Sequence, residues 1–184
     1  MALPNYFGVV PGTAVILGDA SATTNFAVTK TLTLNALAGG AARMSDYIDF
    51  GADWTEEWAC AVLIETGTAP TAGTTVDVHI GYSTLNNLFP GGCTGSDGSF
   101  QSGNEAAFLK RLGRPINQFI ATASTNTLGF QNFRFFRPMA QYGVVVAYNQ
   151  LGQAIRNQAT ASNNLSRIIL CPRNALVSAT ALSA

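Results

Sequence analysis

Charge is what this sequence has least of: Asp, Glu, Lys and Arg together make up 11% of its 184 residues, less than half the usual share. With 47% hydrophobic residues and a mean hydropathy of +0.19, the composition is not that of a disordered chain, which is charged and poor in apolar residues. The formal net charge is zero, which argues against a general nucleic-acid binder or a polybasic membrane-surface protein. Histidine occurs once, at His79, so a multi-histidine metal site is excluded and any Ser-His or Cys-His arrangement depends on that residue. The cysteines Cys60, Cys93 and Cys171 are odd in number, widely spaced and free of any CxxC, so neither a disulfide framework nor a zinc knuckle is expected and a reducing site of synthesis fits. No apolar run approaches the roughly 18 residues of a spanning helix. The stretch before Lys30 lacks the basic residues of a signal peptide, and Pro4, Pro11 and Gly12 interrupt it.

What remains is one domain of ordinary size with a surface made of Ser, Thr, Asn, Gln, Gly and Ala. Such a surface holds neighbours apart poorly and suits a protein that lives in an assembly. All ten acidic residues lie at or before Glu105, opposed there by Lys30 and Arg43 alone, a net of −8. From residue 106 onward there are eight basic residues and no acid, a net of +8. Two readings follow: the halves interleave in one fold and cancel, or they form complementary faces that meet between subunits.

Short runs rich in Val, Ile, Thr, Phe and Tyr, punctuated by Gly, Pro, Asn and Ser, predict an all-β fold, an antiparallel β-sandwich with one short helix. Strands are expected at Ala14–Leu17, Phe26–Leu34, Tyr47–Phe50, Glu57–Glu65, Thr74–Tyr82, Gln118–Thr122, Leu128–Phe136, Tyr142–Asn149, Gln153–Asn157 and Leu165–Cys171. In Thr74–Tyr82, Val76, Val78, Ile80 and Tyr82 share one face while Asp77 and His79 share a wet one. Glu57–Glu65 and Tyr142–Asn149 are apolar on both faces, which predicts that part of the outer sheet face is covered, by another subunit. A helix is expected over Glu105–Leu112, capped by Asn104 and stopped by Gly113, with Phe108, Leu109 and Leu112 buried.

The expected organisation is an N-terminal arm over 1–12, a sandwich over 13–173 and a C-terminal tail over 174–184. Leu3, Tyr6, Phe7, Val9 and Val10 in the arm, and Leu176 and Val177 in the tail, are apolar residues suited to a neighbouring subunit's surface. Arg134 and Arg137, interleaved with Phe130, Phe133, Phe135 and Phe136, read as a core strand whose arginines face a partner's acids, in preference to a base-stacking surface. Arg173 joins them as an interface candidate.

No catalytic residue, cofactor site or metal site is assigned, and the chain reads as not an enzyme. Asp77 and His79 sit about 7 Å apart along a strand, too far to bond directly. Cys93 lies in the glycine-rich stretch 89–99, read as a flexible connection, with no basic residue between Arg43 and Lys110 to activate it. That stretch lacks the Lys-Ser/Thr ending and following helix of a phosphate-binding loop. Asp46, Asp49 and Asp53 do not follow a calcium-loop pattern and read as a solvated rim. Glu56 and Glu57, adjacent on a strand, face opposite ways and with Glu65 make no glycosidase pair. Trp58 reads as core, and Trp54 stays open as a sugar-stacking ring.

The stretch Trp58-Ala-Cys-Ala-Val-Leu-Ile-Glu followed by Thr75-Val-Asp-Val-His-Ile-Gly, the Phe89-Pro-Gly-Gly turn, Tyr142-Gly-Val-Val-Val-Ala-Tyr-Asn and the closing Leu165-Ser-Arg-Ile-Ile-Leu-Cys-Pro together resemble small structural proteins of tailed bacteriophage virions. The resemblance covers about residues 47–173 and is one of pattern, with no catalytic signature. It implies a jelly-roll-like sandwich that decorates or cements a capsid, commonly as a trimer, with terminal arms laid over neighbours. The expected partners are the major capsid protein lattice and further copies of the chain, with no nucleic acid and no membrane, on the capsid surface of a virion assembled from protein made in the host cytoplasm. The alternatives are a tail or fibre attachment protein and a carbohydrate- or receptor-binding module.

Overall fold

The computed structural model describes residues 10–11, 14–19, 28–51, 54, 56–124, 128–158 and 164–174. Among these residues the strands are β1 (Val10–Pro11), β2 (Val15–Gly18), β3 (Lys30–Thr31), β4 (Ala42–Met44), β5 (Ile48–Asp49), β6 (Trp58–Glu65), β7 (Thr75–Ser83), β8 (Gly98–Ser99), β9 (Asn117–Ile120), β10 (Leu128–Phe136), β11 (Tyr142–Asn149) and β12 (Arg167–Asn174), with one α-helix, α1 (Glu105–Leu109), and a 3-10 turn at Pro90–Gly92. One sheet runs β10-β6-β12-β2-β3, with β1 also on β12; the other runs β8-β4-β11-β7-β9, with β5 also on β11.

Eight of these strands, β2, β4, β6, β7, β9, β10, β11 and β12, pair first with last, second with seventh, third with sixth and fourth with fifth, all antiparallel. That is a long hairpin rolled up on itself, and β6 with β12 and β7 with β11 close the roll. The result is the expected all-β sandwich of jelly-roll type. β6 sits between β10 and β12, and β11 between β4 and β7, so strands of the acid-rich and base-rich halves alternate at the centre of both sheets. The charges therefore do not separate into two half-chain faces.

Between the sheets lies one core, with Trp58, Cys60, Val62 and Ile64 of β6 and Ile168 and Leu170 of β12 meeting Val76, Val78 and Ile80 of β7, Val145 and Ala147 of β11, and Phe119 of β9. Trp58 is in this core as expected, edge-on to Phe50 at 4.9 Å between ring centroids. The outer face of β11 is covered from within the chain: Val144 and Val146 pack with Phe89 and Cys93 of the glycine-rich stretch, Phe100 just after it and Leu109 of α1. This corrects the expectation that another subunit covers that strand. It also corrects the flexible connection, because burial of Phe89 and Cys93 and the Arg43–Asp97 ion pair at 2.6 Å pin the stretch down.

Three other expectations change. Within the described part of Phe26–Leu34 only Lys30–Thr31 is strand, because carboxylates replace the ladder beyond it: Thr31 N donates to Asp46 Oδ2, Thr33 N to Asp97 Oδ1 and Asn35 N to Asp19 Oδ1. Gln153–Asn157 contributes a single bridge, Ile155 to Thr66, since the Gln153 carbonyl is taken by Asn149 Nδ2. The helix stops at Leu109, Phe108 and Leu112 are half-buried, and Asn104 caps through its backbone carbonyl, accepting from Ala107 N and Phe108 N, with no side-chain cap.

Candidate interaction surface

β10 ends its sheet, paired with β6 alone, so its other edge carries no strand among the described residues. Gln131 opposes Val62 and Arg134 opposes Cys60, leaving Asn132 and Phe133 against Ala61, a β-bulge that twists the edge. Since Trp58, Cys60, Val62 and Ile64 point into the core, the residues opposite their neighbours point out: Leu128 across from Glu65, Phe130 from Leu63 and Phe135 from Ala59. The exposures are 43% for Leu128, 56% for Phe130, 49% for Phe133 and 51% for Phe135. The expected core strand is therefore corrected: of its phenylalanines only Phe136 packs against the core.

Gly129 explains how an aromatic-rich edge can still close on the sandwich. A Cβ there would lie 2.3 Å from the Phe119 ring of β9, so only glycine lets β10 approach the opposite sheet this closely. Asn117 of β9 ties the same side together, its Nδ2 donating to the Cys60 carbonyl at 2.7 Å.

Outward, the aromatics form a stripe. Phe130 and Phe133 meet edge to face with centroids 6.2 Å apart. At the far end the Arg173 guanidinium lies 4.7 Å over Phe135 and pairs at 2.8 Å with Glu57. Arg173, expected to face a partner, thus finds its acid within the chain. Arg134 occupies a core-facing register position opposite Cys60 yet remains exposed, lining a groove of about 270 Å³ between β9 and β10 with Asn117, Gln118, Ile120, Gln131 and Phe133. Arg137 is exposed just beyond β10, and among the described residues neither Arg134 nor Arg137 makes an ion pair. The remaining interface candidates, Leu3, Tyr6, Phe7, Val9, Leu176 and Val177 and the Val10 side chain, lie outside the described residues; of the arm the structure describes only the Val10–Pro11 strand, which pairs with Arg173 and Asn174 of β12, and of the tail only Asn174. Ile120 and Leu128, 54% and 43% exposed, were not among the candidates, and only their place on the two edge strands marks them out.

Several other titratable groups are held by the fold. A second cleft, about 210 Å³, is lined by Asp77, His79, Lys110, Tyr148 and Gln150. There the Asp77 carboxylate accepts from Gln118 Nε2 at 3.0 Å and Gln150 Nε2 at 2.6 Å, while His79 Nδ1 lies 3.2 Å from the Gly113 carbonyl. His79 is buried, not on a wet face, and desolvation pulls its pKa down against the opposing pull of Asp77 and Gly113. Burial pushes the Cys93 thiol up to about 12, which keeps it protonated and unsuited to nucleophilic attack. Cys60 is likewise pushed up to about 12 by burial. Asp46 is no solvated rim: it accepts from Thr31 N and Asp97 N. Asp49 is exposed and Asp53 lies outside the described residues. Glu65 is buried against Arg156, whereas Glu56 is exposed. Trp54, half-buried, packs against the main core.

The chain matches no protein-family model, no curated protein and no solved structure.

Proposed function

We propose that the chain is a non-enzymatic structural protein of a tailed-phage virion, a jelly-roll module that self-associates and binds the major capsid protein lattice as a decoration or cement protein. The observation that carries this reading is the stripe Leu128, Phe130, Phe133 and Phe135, four large apolar side chains about half exposed and adjacent on one edge strand. Isolated exposed apolar residues are ordinary, but adjacent aromatics on a strand flanked by open backbone make a surface that protein partners cover. The low-charge surface adds little long-range repulsion against packing in a lattice. Because the charged halves interleave, the contact is chiefly apolar and salt weakens it little.

The test is to strip this protein from the particles that contain it, add back wild-type protein or a Phe130→Arg, Phe135→Ser variant, and measure occupancy and heat resistance. The reading expects saturable rebinding by the wild type and restored heat resistance. Absence of wild-type rebinding at any salt concentration overturns it and favours a tail, fibre or receptor-binding role.

A further inference from the structure

We infer that the cleft formed by β7, β11 and the segment that follows α1 is a saccharide site, taking one hexose ring through its hydroxyls. The site is separate from the β10 stripe, because Asp77, His79 and Tyr148 lie on the outer face of the other sheet. The stripe can be covered while this cleft stays open.

Strand register builds the floor. Tyr148 of β11 stands directly across from Asp77 on one side and Gln118 of β9 on the other, while His79 stands across from Val146. Leu109 of α1 packs on Val146 and so brings Lys110 and Gly113 to the edge of the same cleft. At about 210 Å³ the cleft is smaller than the roughly 300 Å³ at which drug-sized sites begin, and it has room for a single ring.

His79 shows what the floor requires. It is 6% exposed, and its Nδ1 lies 3.2 Å from the Gly113 carbonyl, a group that only accepts. The proton therefore sits on Nδ1, and Nε2 is left as an acceptor with no partner among the described residues. The sealed polar atoms that lack a partner among those residues are Trp58 Nε1 and Arg167 Nε, so His79 Nε2 is not shut away but opens to the cleft it lines. Desolvation keeps the ring neutral at neutral pH and its lone pair available. Asp77 accepts one amide hydrogen on each oxygen, from Gln118 and Gln150, and forms no ion pair among the described residues. A carboxylate has about four lone-pair sites, so this one is fixed in its plane with acceptors to spare.

The ligand's chemistry follows by elimination. Two facing acceptors repel an anion, and a metal ion finds no third His, Cys, Asp or Glu beside Asp77 and His79 among the described residues. An ammonium group satisfies the floor but offers nothing to Lys110, an exposed donor on the rim with no ion pair among those residues. A hydroxyl both donates and accepts, so neighbouring hydroxyls on one ring serve the acceptors and the donor at once. Ala106, Leu109 and the Tyr148 ring supply the apolar wall on which the C–H face of a sugar packs. Ribose carries a similar diol, and the experiment separates it from a hexose.

His79 is the only histidine, so its imidazole resonances report on the cleft directly. The experiment titrates the full chain at neutral pH with glucose, galactose, mannose and N-acetylglucosamine, and in separate arms with ribose, adenosine and glycerol, following the His79 Nε2 nitrogen resonance by NMR. The same titrations are run on Asp77→Asn, Lys110→Met and Ala106→Trp, with thermal unfolding of each. Ala106 is exposed on α1, so tryptophan there fills the cleft without removing a hydrogen-bonding group. At least one hexose is expected to shift the resonance saturably in the wild type. Binding should weaken about tenfold in Asp77→Asn and severalfold in Lys110→Met, and vanish in Ala106→Trp with an unchanged unfolding midpoint. Should Asp77→Asn fail to fold, the two variants at exposed positions carry the test. The inference is overturned if no hexose shifts the resonance, or if Ala106→Trp responds as the wild type does. An equal response to glycerol also overturns it, as an adventitious polyol only, and a response confined to ribose or adenosine reassigns the cleft to a nucleoside.

Discussion

The Arg173 guanidinium lies 4.7 Å above the Phe135 ring while its Nη1 donates to Glu57 Oε2 at 2.8 Å. One side chain thereby spans β6, holding the last strand of the chain to the edge strand that carries the exposed aromatics. Both ionic partners are substantially exposed, at 47% and 37%, so the pair is worth little on its own. Arg173→Ala is expected to lower unfolding free energy by about 0.5–2 kcal/mol, the sum of a surface ion pair and an exposed cation–π contact. Urea unfolding of Arg173→Ala, Glu57→Ala and the double variant measures the coupling directly.

Glu65 carries more. It is 4% exposed and accepts from Arg156 Nη1 at 2.6 Å, Gln158 Nε2 at 3.1 Å and the Leu165 backbone N–H at 3.2 Å, tying two segments to the end of β6. Glu65→Ala leaves a half-exposed arginine and a backbone donor without their acceptor, and is expected to cost about 2–4 kcal/mol. Glu65→Gln should fall between wild type and alanine, because it keeps an acceptor while losing the charge. Equal stability of all three proteins by urea unfolding would show that the carboxylate is not an anchor.

Gly129 is expected to tolerate no side chain. Gly129→Ala forces its methyl against the Phe119 ring, pushing β10 away from β9 at a cost of about 1–3 kcal/mol. Phe119→Leu should recover part of that loss by vacating ring volume, a rescue that thermal unfolding of the double variant reads. No recovery would mean that the penalty arises elsewhere.

Stability should fall as pH is lowered from neutral. Desolvation depresses the folded-state pKa of His79 below 6.5, so the unfolded chain binds the proton more readily and the folded form loses ground as pH drops below 6.5. The slope from this one group is at most about 1.4 kcal/mol per pH unit. Further down, burial pushes Asp97 upward, but the bonds from Arg43 and Thr33 outweigh it and hold its pKa below 3.8. Its contribution is complete above 3.8 and disappears as pH falls through the folded value. Asp19 runs the other way: burial raises its pKa, so its share of stability declines as pH rises above 3.8. His79→Asn, which keeps a donor for the Gly113 carbonyl, should flatten the slope just below pH 6.5; an unchanged slope would exclude His79 as its source.

The two-layer fold was legible because period-two alternation is imposed by the strand itself: Val76, Val78 and Ile80 read as one face, and that face is the core. Double-sided burial of β6 and β11 could also be read, but not its source, since cover for Val144 and Val146 comes from a stretch too rich in glycine to suggest a packed lid. The stripe was hidden by the bulge. Phe130 and Phe133 are an odd number of residues apart and alternation puts them on opposite faces; the extra residue in β10 brings their rings together on one side. Short β4 and β8 escaped notice because two or three residues show no period, and the end of Phe26–Leu34 left the ladder because carboxylates from Asp97 and Asp19 bind its backbone instead.

The measurement that tests the central claim most directly is quantitative mass spectrometry of purified, intact virus particles that encode this chain. The account predicts the chain in fixed ratio to the major capsid protein, released only when the particle surface is stripped. Its absence from particles that are complete and infectious would contradict the account.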